Sequence, residues 1–118
     1  MSLGDRLEDL LKRVSGSSGI AIVGADGIIV EGRTNDSELD LQATGAEFGA
    51  LLKGAERAAA SVGSALSELS MLCEDRVFFL KKISAGYFLI LILSSEKDLG
   101  KGRFLLRRAL SGLIKEMA

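Results

Sequence analysis

The chain has 118 residues, 47% hydrophobic and 26% charged, with 15 basic and 16 acidic side chains and a formal charge of -1. That length holds one domain with a real core, 1–118, and the composition lies outside the disordered range. Balanced charge leaves no field to draw nucleic acid, and the absence of histidine removes Ser-His-Asp, Cys-His and His-zinc chemistry.

Leu3, Leu7, Leu10, Leu11 and Val14 mark one face of a first helix, with Ser2 as N-cap and Asp5 three residues on. GIAIVGADGIIVEG then reads as an antiparallel hairpin, Gly19 to Val23 and Ile28 to Glu31, turning at Ala25-Asp26-Gly27. After the polar RTNDSELD, Asp40 is placed to cap a long helix from Leu41 to Val62. Three strands follow as a meander: Leu66 to Cys73, Val77 to Ile83 and Tyr87 to Leu93. The last of these, YFLILIL, is apolar throughout and belongs in the middle of a sheet covered on both faces. A final helix, capped by Asp98, carries Leu99, Leu106, Ala109, Leu110, Leu113 and Met117 on one side and Arg103, Arg107, Arg108 and Lys115 off it. The order α-β-β-α-β-β-β-α predicts an α+β fold, a five-stranded antiparallel sheet between the long helix and the two terminal helices.

Motifs of chemistry fail on their spacing. Gly100-Lys101 is followed by Gly102, not by the hydroxyl residue a phosphate-binding loop needs. Asp36, Glu38 and Asp40 alternate like calcium ligands but lack the turn glycine and closing Glu, so capping and solvation explain them. Cys73, alternating with Leu69 and Met71, reads as a small buried hydrophobe, and the cations of the last helix as solvated groups complementing its dipole. No metal, cofactor or enzymatic activity is expected. The longest apolar run is too short to cross a membrane and MSLGDRLEDL lacks the pattern of a secretory signal, so the expectation is a cytoplasmic protein without membrane insertion.

The long helix is the informative element. Leu41, Phe48, Leu51, Leu52, Ala55, Ala58, Ala59 and Val62 cluster on the side expected to face the sheet. Opposite lie Ala43, Ala46, Ala50, Gly54 and Ser61, with Gln42, Glu47, Lys53 and Arg57 among them. Gly45, Gly49 and Gly54 each cost about 1 kcal/mol relative to alanine inside a helix. Close packing against another helix would offset that; the alternative is that alanine fills exposed helical positions and the glycines pack on the protein's own sheet.

The hairpin, the long small-residue helix and the meander DRVFFLKKISAGYFLILIL together resemble the Roadblock/dynein light chain family, whose bacterial members include MglB-like proteins. The resemblance implies a profilin-like fold and a non-enzymatic homodimer that acts as a platform for a small Ras-like GTPase. The long helices would pack side by side and the third strands would pair across the two-fold axis. Carried over by position, the dimer interface would be Ala43, Ala46, Ala50, Gly54 and Ser61 with Leu69, Ser70, Met71 and Leu72 of the strand. Gln42, Glu47, Lys53 and Arg57 would contact the GTPase, Arg57 by contact rather than catalysis. Competing readings are a dimeric adaptor without effect on nucleotide hydrolysis and a small-molecule sensor domain.

Overall fold

The computed structural model describes residues 1–117. Its elements run α1 (Leu3–Arg13), β1 (Ser17–Gly24), β2 (Ile29–Thr34), α2 (Leu41–Ser61), β3 (Glu68–Leu72), β4 (Val77–Ser84), β5 (Tyr87–Leu93), a 3-10 turn (Glu96–Asp98) and α3 (Leu99–Met117). The strands form one sheet in the order β2-β1-β5-β4-β3, every neighbouring pair antiparallel. The expected α+β sandwich is what forms.

β5 takes the centre because its side chains are apolar on both faces and only a central strand covers both. On one face Leu89, Leu91 and Leu93 join Ile20, Ile22 and Phe79 beneath α1 and α3. On the other, Phe88, Ile90 and Ile92 join Val23 and Leu80 beneath Phe48 and Leu52 of α2. The helix starts match the chemistry of their caps. Ser2 Oγ accepts from the Asp5 backbone N–H at 3.1 Å while the Asp5 carboxylate accepts from Ser2 N–H, and Asp40 accepts from Ala43 N–H at 3.1 Å.

Several expectations are corrected. Asp98 does not cap α3; it ends the 3-10 turn, whose own cap is Ser95, and the chain runs from that turn straight into the helix. In the first hairpin only Gly27 has positive φ, +83°, and Gly27 N–H donates to Gly24 O at 2.9 Å, so the turn is a longer loop closed by one left-handed glycine. β3 is shorter than expected, and Cys73 lies past its end, exposed rather than buried. Its N–H reaches Arg76 O in the turn to β4, which holds the backbone but leaves nothing over the thiol.

The buried face of α2 is also rotated from the expected one. Gly45 and Gly49 are buried with Phe48 and Leu52, whereas Leu51 is 42% exposed and Val62 79% exposed. The small glycines let the helix sit down on the β1–β2 turn, and that tilts the larger apolar residues of the opposite flank out of the core.

Candidate functional site

The rotation of α2 explains its glycines individually. A Cβ on Gly49 would stand 2.5 Å from the Gly27 Cα, and one on Gly45 would stand 2.6 Å from the Ile29 side chain. Both are far inside ordinary carbon contact distance, so these two glycines are required by the chain's own turn. Gly54 is different. A Cβ there would meet nothing closer than an Arg57 nitrogen at 3.9 Å. Of the three glycines, only this one has no use within the single chain.

Gly54 lies in the exposed seam. Ala43, Ala46, Ala50 and Ser61 are exposed and Gly54 half-buried, so the structure brings this set together on the outward side of α2. Next to the seam, on the flank facing β3, Glu47, Phe48, Leu51 and Met71 line an open groove, and the Phe48 ring also packs against Phe78, with centroids 4.7 Å apart. Helical spacing continues that flank from Leu51 through Ala58 to Val62, which is also exposed. The groove opens onto β3, where Leu69 and Met71 are half-buried and Ser70 and Leu72 exposed.

The two edges of the sheet are managed differently. Along β2 an extra residue, Val30, bulges opposite the Ile22/Val23 step, and Arg33 pairs with Glu31 at 2.6 Å and with Glu8 of α1 at 3.7 Å. A bulge and charges are devices that blunt an edge. β3 has neither. Its one charge, Glu68, is turned onto α3, accepting from Arg107 Nε at 3.0 Å and Nη2 at 2.7 Å, with Lys81 at 3.5 Å and Arg103 at 3.4 Å. Burial alone would raise the Glu68 carboxyl, but Arg107, Lys81 and Arg103 hold it below the usual glutamate range. Arg103 also stacks over Phe79 at 5.1 Å, so this cluster ties α3 to the edge strand and draws its charge inward, leaving Ser70 and Leu72 exposed on the strand.

The residues expected to meet a GTPase are all exposed but are not one patch. Gln42 sits beside Gly27, Ile28 and Ile29 at the first hairpin, while Glu47 lies in the groove on the opposite flank. Lys53 and Arg57 follow along the outer surface of the helix. Leu51, Ala58, Val62 and Cys73 were missed as surface residues, because helical spacing and strand alternation assigned them to the core. The signal that would have found those on α2 is the pair Gly45 and Gly49, which marks where a helix approaches a backbone. The acidic residues before α2 have structural partners: Asp36 pairs with Arg76 at 2.9 Å and accepts from Glu38 N–H at 3.0 Å, and Asp40 is the cap. Arg76 and that backbone hydrogen bond lower the Asp36 carboxyl from its ordinary value.

No protein-family model matches the chain, and no curated protein sequence does. Solved structures do. MglB from Myxococcus xanthus superposes with a TM-score of 0.86 at 13% identity, over 96% of this chain and 92% of that one. A Roadblock/LC7 domain from Streptomyces avermitilis gives 0.72 at 14%, over 94% and 99%. MglC from Myxococcus xanthus gives a TM-score of 0.70 but 32% identity, over 98% of this chain and 99% of that one. The first two likenesses are likenesses of fold; the third extends to the sequence along nearly the whole of both chains.

Proposed function

This chain belongs to the Roadblock/LC7 family, with the fold of MglB and a sequence likeness to MglC, and from that premise we propose that it is a non-enzymatic homodimeric platform that binds and regulates a small Ras-like GTPase. The observation that carries the proposal is the continuity of three exposed features: the small-residue seam of α2, the apolar flank of Leu51 and Val62, and the bare edge of β3. A two-fold axis beside β3 lets the strand pair with its own copy, which satisfies the edge and continues the sheet. The same operation sets the two α2 helices side by side on one face, where Gly54, Ala50 and Ala43 permit close approach. Leu72, 54% exposed, is covered in the same step.

What remains exposed on the α2 pair is the polar set Gln42, Lys53 and Arg57, with Glu47 at the rim of the dimer contact. These are the residues we assign to the GTPase. Arg57 supplies charge to the contact; regulation proceeds by holding the GTPase's own loops in one arrangement, which changes hydrolysis without a residue of this chain entering the reaction.

The experiment uses the purified chain and each small GTPase of its own organism, loaded with GDP or with a non-hydrolysable GTP analogue. Binding that differs between the two nucleotides, with a changed hydrolysis rate, is expected. Equal binding to both with unchanged hydrolysis would establish the adaptor instead. A monomer that binds no GTPase would end the proposal.

A further inference from the structure

We propose that the outer line of α3 is a docking surface for an anionic lipid bilayer. Lys101, Phe104, Arg108 and Lys115 recur at intervals of three, four and seven residues, which keeps them on one line of the helix. All four are exposed, and they stand opposite the buried Gly102, Leu106 and Leu113, so the line points directly away from the sheet. Phe104 is 57% exposed at its centre, with the Arg108 guanidinium 5.6 Å over its ring.

Three observations separate this line from an ordinary solvated face. First, α3 carries five cations and a single carboxylate, Glu116, which pairs with Arg6 of α1, while the chain as a whole is at -1. Second, Arg103 and Arg107 are engaged by Glu68, whereas among the described residues no carboxylate pairs with Lys101, Arg108 or Lys115; on neighbouring α1 the charges cancel, Lys12 with Glu8 and Arg13 with Asp9. Third, Lys101 lies in the first turn of its helix, where the dipole disfavours a cation, so helix stability does not account for it. A line of cations flanking an exposed aromatic ring matches a layer of anionic headgroups over acyl chains.

A flat occupant is favoured over a single acidic protein by symmetry, and this step rests on the dimer proposed above. Pairing β3 with its copy continues the sheet and leaves both α3 helices on the same face, opposite the α2 pair. Two parallel basic lines, each with a phenyl ring, then look out from one side. A bilayer meets both at once, and the GTPase face is turned to the cytosol.

The test is co-sedimentation of the full chain with phosphatidylcholine vesicles containing about a third phosphatidylglycerol, against pure phosphatidylcholine. Binding is expected only to the anionic vesicles and is expected to fall as salt is raised. Lys101→Gln, Arg108→Gln and Lys115→Gln should each weaken partitioning about fivefold per copy, Phe104→Ser should weaken it too, and Lys12→Gln on α1 should not. Sedimentation equilibrium of each variant, run in parallel, separates the two proposals. A dimer that ignores anionic vesicles at low salt overturns this inference and leaves the dimer standing. A monomer that still binds through Arg108 and Lys115 keeps the lipid surface and removes the dimer. Capture of polyglutamate in preference to vesicles, or equal losses in Lys12→Gln and Arg108→Gln, would also overturn it.

Discussion

Replacing Gly49 and Gly54 separately by alanine distinguishes packing inside the chain from packing between chains. Alanine favours the helix over glycine by about 1 kcal/mol at either position. At Gly49 the new methyl would sit 2.5 Å from the Gly27 Cα and 2.9 Å from its nitrogen. The optimum for carbon atoms is about 3.5–4.0 Å, and the obstacle is backbone at a residue held at φ +83°, so it cannot rotate aside. Helix and turn must separate by about 1 Å, an overpacking cost of about 3 kcal/mol, for a net loss of about 2 kcal/mol. At Gly54 the methyl meets nothing closer than 3.9 Å, so the monomer gains about 1 kcal/mol. Urea unfolding at low protein concentration reads both changes, and sedimentation equilibrium reads association. Gly54→Ala should raise the unfolding midpoint and yet weaken the dimer, because the methyl lies where the second helix approaches. If Gly49→Ala were as stable as the parent, the account of the α2 seating would be wrong; if Gly54→Ala left association unchanged, Gly54 would not be in the contact.

Two further outcomes are expected. Leu72→Glu removes an apolar side chain of which about half remains to be buried, about 1 kcal/mol per copy and about 2 kcal/mol for the symmetric pair, so the dissociation constant measured by ultracentrifugation should rise about 30-fold, while a folded variant with an unaltered constant would remove β3 from the interface. Glu68→Gln should lower stability by about 1 kcal/mol near neutral pH, because Arg107 loses its charged acceptor. The pH dependence has a definite sign. The folded-state carboxyl lies below its ordinary value of 4.5, so the contribution is complete above that pH and is lost as pH falls through the lowered folded value. Parent and variant should therefore converge in acid, and a stability gap that persists at pH about 2 would contradict the assignment.

Much of this protein is legible in residue order. Helical periods of three to four residues and apolar runs between turn residues locate the three α-helices and five strands, Ser2 and Asp40 announce their helices, and the unbroken YFLILIL places β5 at the centre of the sheet. Ends were less legible than middles. Cys73 continues the alternation of Leu69 and Met71, yet the chain turns before it, and Asp98 looks like a cap although Ser95 opens the turn that precedes α3. At Asp98 the cap is made by a neighbouring residue, Ser95, whose side-chain type is equally suited to the task, and at Cys73 a backbone hydrogen bond to Arg76 O closes the turn, which side-chain alternation does not register.

The helix α2 shows where local pattern stops. Composition and period determined that it is long, amphipathic and lined with small residues opposite its apolar side. They could not say which glycines serve the fold and which are left over, since a glycine is a vacancy and its use depends on what arrives there from elsewhere in the chain. Tertiary structure decided it: Gly27 comes against Gly49 and Ile29 against Gly45, the helix rolls toward that turn, and Leu51 and Val62 roll outward with Gly54. The side-chain period is a property of one helix, but the direction that is buried is set by the closest approach of a second element, and that approach is made by residues 16 or more positions away, Ile29 to Gly45 being the nearest in sequence.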